Sequence, residues 1–160
     1  MTLTFRLNGT TVSYETPADK RLIDVLREDA GLTENRAGCY SGACGTCAVF
    51  LNGELTYSCL VPAFSAQDVE VITFEGLAGS ADLEDILTGF EAAHYKPCAN
   101  CFRGRVLSVY ALLSTHPVPE RKDIDELLYG HRCGCSSVSS LYEAVERSIS
   151  LRRRRRHVRR

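Results

Sequence analysis

The stretch GCYSGACGTC, residues 38–47, decides how this 160-residue chain folds. It places three cysteines and three glycines within ten positions, with four residues between the first two cysteines and two between the next pair. Glycine tolerates positive φ angles and lets the main chain approach a bound group closely. The stretch is therefore expected to form a tight loop around something that sulfur atoms hold, and not a helix or a strand.

A fourth cysteine follows this loop at the distance that an iron–sulfur cluster needs. The complete spacing is C-x4-C-x2-C-x11-C, and its first three cysteines match the plant-type [2Fe–2S] pattern, whose fourth ligand comes from further along the chain. The expected ligands are Cys39, Cys44, Cys47 and Cys59. The glycines that would let backbone N–H groups reach the cluster are Gly38, Gly42 and Gly45. Zinc is a poorer match, because its structural sites usually show two C-x2-C-like pairs. Disulfides or unpaired thiols would also be compatible with four cysteines.

A second group of four cysteines lies downstream, after 38 residues that contain none. Its members are Cys98, Cys101, Cys133 and Cys135. Each pair stands at or just before the start of a predicted helix, where free N–H groups and the positive end of the helix dipole favour an anionic site. The spacing predicts a second cluster but also suits a zinc site with four cysteines. The gap between the groups indicates two modules.

Composition limits the class of protein. The chain is 44% hydrophobic and 24% charged, which is ordinary for a globular protein and argues against global disorder. No apolar run approaches the roughly 20 residues that span a bilayer, so no transmembrane segment is expected. The first 15 residues lack the features of a secretory signal. A cytoplasmic location is expected, and there thiols stay reduced and point to metal before disulfides.

The net charge of −1 conceals two opposite parts. Residues 152–160 carry seven of the 19 basic side chains and no acid, which leaves 12 basic against 20 acidic side chains in residues 1–151. The composition of residues 152–160 predicts a disordered basic tail. An electrostatic contact with an acidic partner or with nucleic acid phosphates is the alternative, and nothing indicates sequence-specific nucleic-acid binding.

The first module, residues 1–76, is predicted to be a sheet with one helix. Asn8-Gly9 and Asn52-Gly53 each separate two alternating runs, which predicts two β-hairpins. Thr16-Pro17 is typical of a helix start, and Gly31 of its end. Residues 69–73 supply a last strand.

The second module, residues 80–151, is predicted to form four helices after a short glycine-containing linker. Apolar residues at helical spacing predict helices over 82–93, 101–114 and 137–149, with another that follows Pro119 and ends at Gly130. The fold class expected is therefore α+β.

The two cysteine groups, in this order and with these spacings, resemble the small iron–sulfur subunit of the molybdenum hydroxylases. This family includes xanthine dehydrogenase, aldehyde oxidase and carbon monoxide dehydrogenase, and the resemblance covers about residues 2–150. It implies an N-terminal β-grasp, ferredoxin-like domain followed by a four-helix domain. It also implies that each domain holds one [2Fe–2S] cluster.

By this resemblance the chain is a non-catalytic electron-transfer subunit of a hetero-oligomeric oxidoreductase. It would pass electrons between a molybdopterin-binding large subunit and a FAD-binding medium subunit, and those two cofactors would belong to the partners only. A metal- or redox-sensing adaptor and a stand-alone ferredoxin-like carrier are the alternatives.

The second cysteine group departs from the family pattern. The family usually has Gln directly before the first cysteine of this group, where this chain has Pro97, and its closing motif Cys-Arg-Cys-Thr is Cys-Gly-Cys-Ser here. The family's Gln contacts the pterin, so the sequence leaves open how a molybdenum cofactor would be contacted. His131 is expected to be a helix-end residue near the second cluster and not a ligand.

Overall fold

The computed structural model, which describes residues 1–131 and 134–158, combines a five-stranded sheet with five α-helices. The strands are β1 (Thr2–Leu7), β2 (Thr10–Glu15), β3 (Ala48–Leu51), β4 (Glu54–Tyr57) and β5 (Glu70–Ile72). The helices are α1 (Leu22–Asp24, continued by the π-helical turn Val25–Asp29), α2 (Ala81–Ala92), α3 (Phe102–Thr115), α4 (Arg121–Gly130) and α5 (Val138–Val158). The α+β fold predicted from the sequence is confirmed. No helix within the two described ranges is both long and apolar enough to cross a membrane.

The sheet is mixed, with strand order β2-β1-β5-β3-β4. β1 runs parallel to β5, and the other neighbouring pairs are antiparallel. Both predicted hairpins are present, and the turn residues Asn8, Gly9, Asn52 and Gly53 all have positive φ. This conformation matches the right-handed twist of the flanking strands, which is why Asn-Gly marks such turns.

The first helix begins later than the sequence predicts. The expected start at Thr16-Pro17 is wrong, since the helix begins at Leu22 after an extended Arg21. Backbone hydrogen bonds to residues 61–64 hold residues 18–22 in place, including Leu22 N–H to the Val61 carbonyl at 2.8 Å. These long-range bonds use backbone groups that a helix starting at residue 17 would have consumed.

One face of the sheet buries α1. Leu3 and Phe5 of β1 pack with Leu22 and Leu26 of the helical segment, and all four are at most 1% exposed. Val49 of β3 joins the same cluster. This core fixes the position of the chain just before and just after the cysteine-rich loop.

A second hydrophobic cluster joins the sheet to the helices. Phe50 of β3 contacts Tyr110 of α3 edge to face, with ring centroids 5.8 Å apart. Phe74 contacts Phe102 in the same way at 5.9 Å. The two predicted modules therefore pack against each other through a common hydrophobic cluster. The exact boundary between them stays a prediction.

Helices α2 and α5 approach each other most closely at Gly89. A Cβ at this position would lie 2.2 Å from Ser148 Oγ and 2.8 Å from the Ser148 backbone nitrogen. The absence of a side chain here lets the two backbones come together, and the Ser148 hydroxyl donates to the Ala144 carbonyl of its own helix. The close pairing extends along α2 toward its first turn.

Helix α5 continues through the arginines for which disorder was predicted. The disordered tail expected for residues 152–160 is wrong over 152–158, where the helix runs on to Val158. Arg152 pairs with Asp82 at 3.1 Å, and Arg155 pairs with Asp82 and with Asp85, the latter at 2.8 Å. These carboxylates lie near the start of α2, and their charges raise the pKa of Arg155. Arg159 and Arg160 lie outside the described residues, as do Arg132 and the predicted ligand Cys133.

Asp82→Asn should lower the free energy of unfolding by about 1–2 kcal/mol, because it leaves two partly buried arginines with weaker partners. Urea unfolding of the full chain measures this. Glu84→Gln is the matched control, since Glu84 shares the first turn of α2 but is exposed, and it should cost about 0.5 kcal/mol or less. Equal losses in the two variants would show that the arginine pairs contribute nothing.

Gly104→Ala should destabilise the chain by roughly 1–2 kcal/mol. A Cβ at Gly104 of α3 would lie 2.2 Å from the Gly45 carbonyl oxygen and 3.0 Å from Thr46 Cα, so backbone would have to move. The better helix propensity of alanine offsets about 1 kcal/mol of that cost. Gly134→Ala is the control, because a Cβ there meets no atom of the described residues within 4 Å. A Gly104→Ala chain as stable as the Gly134→Ala chain in urea would contradict the prediction.

Candidate metal centres

The cysteine-rich loop between α1 and β3 surrounds the sulfur of Cys39 with backbone donors. Cys39 Sγ accepts hydrogen bonds from the N–H groups of Ser41 at 3.4 Å, Ala43 at 3.2 Å and Cys44 at 3.4 Å. Successive N–H groups that converge in this way form a concavity for an anion. The loop is thus shaped to stabilise negative charge on sulfur.

The four cysteines of the first group have contrasting environments. Hydrogen bonds from the Ser41 hydroxyl and backbone lower the pKa of Cys39 to about 6, so its thiolate predominates at neutral pH. Burial raises the pKa of Cys47 to about 12, with Cys59 and Cys44 as interacting neighbours. Cys39 interacts with Cys44, and Cys47 interacts with Cys44 and Cys59, so the four cysteines lie in one site. Metal binding there would displace the proton that Cys47 otherwise retains, since the thiolate is the ligand.

Close approach accounts for the glycines of this loop. A Cβ on Gly38 would lie 2.9 Å from Cys44 Sγ, so any side chain would intrude on the sulfur group. Gly42 and Gly45 have φ of +76° and +70°, and a Cβ on Gly45 would lie 2.7 Å from the ring of His131. Gly38 thus leaves room for the sulfur of Cys44, and Gly45 leaves room for the ring of His131.

The second cysteine group meets at the start of α3. The carbonyl of Cys98 accepts from the N–H groups of Cys101 and Phe102, each at 3.0 Å. A backbone hydrogen bond from Cys101 lowers the pKa of Cys98 to about 7, and the Cys135 side chain also hydrogen-bonds to it. The structure therefore brings together Cys98, Cys101 and Cys135, whereas Cys133 lies outside the described residues.

The backbone of the first cysteine-rich loop touches α3, the helix that begins at the second cysteine group. The carbonyl of Gly45, next to Cys44 in the first loop, packs against Gly104, three residues after Cys101. His131, the C-cap residue of α4, places its ring on the other side of Gly45. The hydroxyl of Tyr57 donates to the Gly130 carbonyl and ties β4 to the same helix end.

Two buried polar residues lie at this contact, and of these the sequence had indicated only His131. Arg105 of α3 is 1% exposed, and its Nη2 donates to the His131 carbonyl at 2.8 Å. Burial, and then the neighbouring Arg105 charge, lower the pKa of His131 to about 3, so its ring is neutral at physiological pH. The position of Arg105, directly before the mainly apolar segment 106–109 of α3, was the available signal for it. His131 lies at a helix end, as predicted.

Each group also has an accessible edge. Cys39 is half-buried and lies among the exposed residues Tyr40, Ser41 and Ala43, while Cys98 is half-buried beside the exposed Ala99. The deep members are Cys47, Cys59 and Cys101. A site of this kind is anchored in the core while part of it comes close to the surface.

The residues present fit a [2Fe–2S] cluster in the first group. Four thiols, an N–H concavity on Cys39 and a glycine facing Cys44 supply the ligands, the charge stabilisation and the space that such a cluster needs. Among the described residues, no three His, Cys, Asp or Glu side chains are arranged to hold a single metal ion. A binuclear cluster does not require such an arrangement, because each iron takes only two of the four thiolates.

Family models match both parts of the chain. Residues 5–73 match the 2Fe-2S iron-sulfur cluster binding domain, and residues 73–146 match the [2Fe-2S] binding domain. The chain therefore contains two distinct 2Fe-2S binding domains.

Two curated relatives match over nearly their whole length. The nicotinate dehydrogenase small FeS subunit of Eubacterium barkeri is 34% identical over 149 residues, which cover 93% of this chain and 95% of the relative. The isoquinoline 1-oxidoreductase subunit alpha of Brevundimonas diminuta is 32% identical over 145 residues, with coverage of 90% and 95%.

A solved structure has the same fold. A chain of quinoline 2-oxidoreductase from Pseudomonas putida 86 matches with a TM-score of 0.85 and 28% identity, covering 96% of each chain. With two matched 2Fe-2S binding domains and relatives of this length and similarity, the chain belongs to the family of small [2Fe–2S] iron–sulfur subunits of the molybdenum hydroxylases.

Proposed function

We propose that this chain is a non-catalytic electron-transfer subunit that carries two [2Fe–2S] clusters. The first would be held by Cys39, Cys44, Cys47 and Cys59. The second would be held by Cys98, Cys101, Cys133 and Cys135. The chemistry that such a cluster supplies is the transfer of one electron, in which one iron alternates between Fe(III) and Fe(II) and no covalent bond breaks.

The contact between the first cysteine-rich loop and α3 carries this proposal. The Gly45 backbone touches both α3, which begins at the second group, and His131, which lies two residues before Cys133. Backbone contact between the segments that would hold the two clusters gives an electron a short path through the protein without a change in conformation.

The proposed partners are a molybdopterin-binding large subunit and a FAD-binding medium subunit. The relatives named above are subunits of a nicotinate dehydrogenase and an isoquinoline 1-oxidoreductase. Pro97, half-buried directly before Cys98, has neither a side-chain amide nor a backbone N–H to offer a pterin. In this complex, the hydrogen bond that the family's Gln makes would come from another residue or from the partner.

The proposed location is the cytoplasm, where the thiols remain reduced until iron is inserted. The adaptor alternative was motivated by the altered second cysteine motif, with the arginine-rich segment as the part that would bind a partner. Two of those arginines, Arg152 and Arg155, are engaged within the chain. The stand-alone carrier differs from the proposal in one measurable respect. Purification at native expression levels would return a carrier alone, whereas a subunit copurifies with flavin- and molybdenum-containing chains.

The purified full chain should contain about four iron and four sulfide per polypeptide, from two binuclear clusters. Dithionite reduction should give two distinct electron paramagnetic resonance signals. Inductively coupled plasma analysis reports zinc in the same sample and provides the internal control. A chain that holds zinc and no iron would overturn the proposal.

Substitution of one ligand in each group should remove one cluster at a time. Cys44→Ser should halve the iron content and abolish one paramagnetic signal, and Cys101→Ser should abolish the other, because cluster binding requires the full set of thiolates. Each variant is the control for the other. Retention of both signals in either variant would show that the substituted cysteine is not a ligand.

A further inference from the structure

Arg105 is the largest side chain among the fully buried residues described. Its Nη2 donates to the His131 carbonyl, but Nε and Nη1 have no hydrogen-bond partner among the described residues. No carboxylate in the described ranges pairs with it either. The other arginine near this contact, Arg103, pairs with both Glu34 and Glu75.

A buried cation without an anion is unfavourable. Arginine keeps its proton in proteins, so Arg105 cannot escape the cost of burial by becoming neutral as lysine or histidine does. The desolvation of a charge in the interior is recovered only by a counter-charge with good geometry. The fold therefore requires a negative group near Arg105.

The position of Arg105 indicates which group this is. Its own N–H bonds to the Cys101 carbonyl at 2.9 Å, in the turn of α3 that begins at the second cysteine group. On the side of the first group, its charge reaches Tyr57, which also interacts electrostatically with Cys47 and Cys44. A cluster with four thiolates is an anion, and it becomes more negative when it accepts an electron.

We propose that Arg105 is a buried counter-charge that raises the reduction potential of the clusters on either side of it. The inference rests on the proposed function, because it needs the clusters to be present. Uptake of an electron adds one negative charge to a cluster and transfers no proton to Arg105. The fixed cation stabilises that added charge strongly, since the interior screens it less than water does. Arg105 thus acts on the clusters through its charge and makes no bond to iron.

Potentiometric titration of the cluster-loaded full chain, followed by electron paramagnetic resonance, tests this proposal. Arg105→Gln keeps a donor for the His131 carbonyl and removes the charge, so at least one midpoint potential should shift to a more negative value. Arg105→Lys keeps the charge and should restore the wild-type potentials. Arg147→Met is the matched control for net charge, because Arg147 is an exposed residue of α5 paired with Glu143, and it should leave both potentials unchanged.

The outcomes separate this inference from the proposed function. Two wild-type signals with potentials that do not move in Arg105→Gln, or that become more positive, overturn the inference alone. A wild-type chain without iron–sulfur signals overturns the proposed function and this inference with it. If Arg105→Gln loses its clusters, Arg105→Lys decides: clusters retained at wild-type potentials support a role for the charge, and clusters lost from both variants show a structural role only.

Discussion

The backbone contact between Gly45 and Gly104 is the constraint on which the rest of this molecule depends. It brings the cysteine-rich loop of the sheet module against the first turns of α3, where the second cysteine group begins. Neither position tolerates a Cβ without displacement of backbone or of the buried His131 ring. The aromatic contacts of Phe50 with Tyr110 and of Phe74 with Phe102 hold the same two bodies together further out. Hydrophobic burial thus holds the sheet module against the helical module, and the two glycines determine how closely the two cysteine-bearing segments approach each other.

The features that the sequence predicted are those that local chemistry decides. Asn-Gly turns need positive φ at both residues, and both hairpins form where that dipeptide stands. The spacing of the first cysteine group reflects a loop that must return its sulfurs to one point, and the structure brings those sulfurs together. Helical periodicity located the four C-terminal helices because each buries one apolar face against the shared core.

The features that the sequence did not predict depend on contacts between residues far apart in the chain. The start of α1 is set by backbone bonds to residues 61–64, which no local pattern reveals. The arginines of α5 look like a solvated tail until Asp82 and Asp85, some 70 positions earlier, are placed beside them. Arg105 looks like an ordinary polar neighbour of an apolar run until the fold shows that this turn of α3 is buried on all sides.

The charges of the chain therefore have three different functions, which the net value of −1 conceals. The acids of α2 and the arginines of α5 neutralise each other within the fold. The remaining exposed charges are in contact with water and are screened by salt. Arg105 belongs to neither class, because it is buried next to a histidine that burial keeps neutral. Where Arg105 acts on both clusters, it shifts both potentials in the same direction. The difference between the two potentials, which drives an electron from one cluster to the other, would then be left to local donors such as the N–H groups around Cys39.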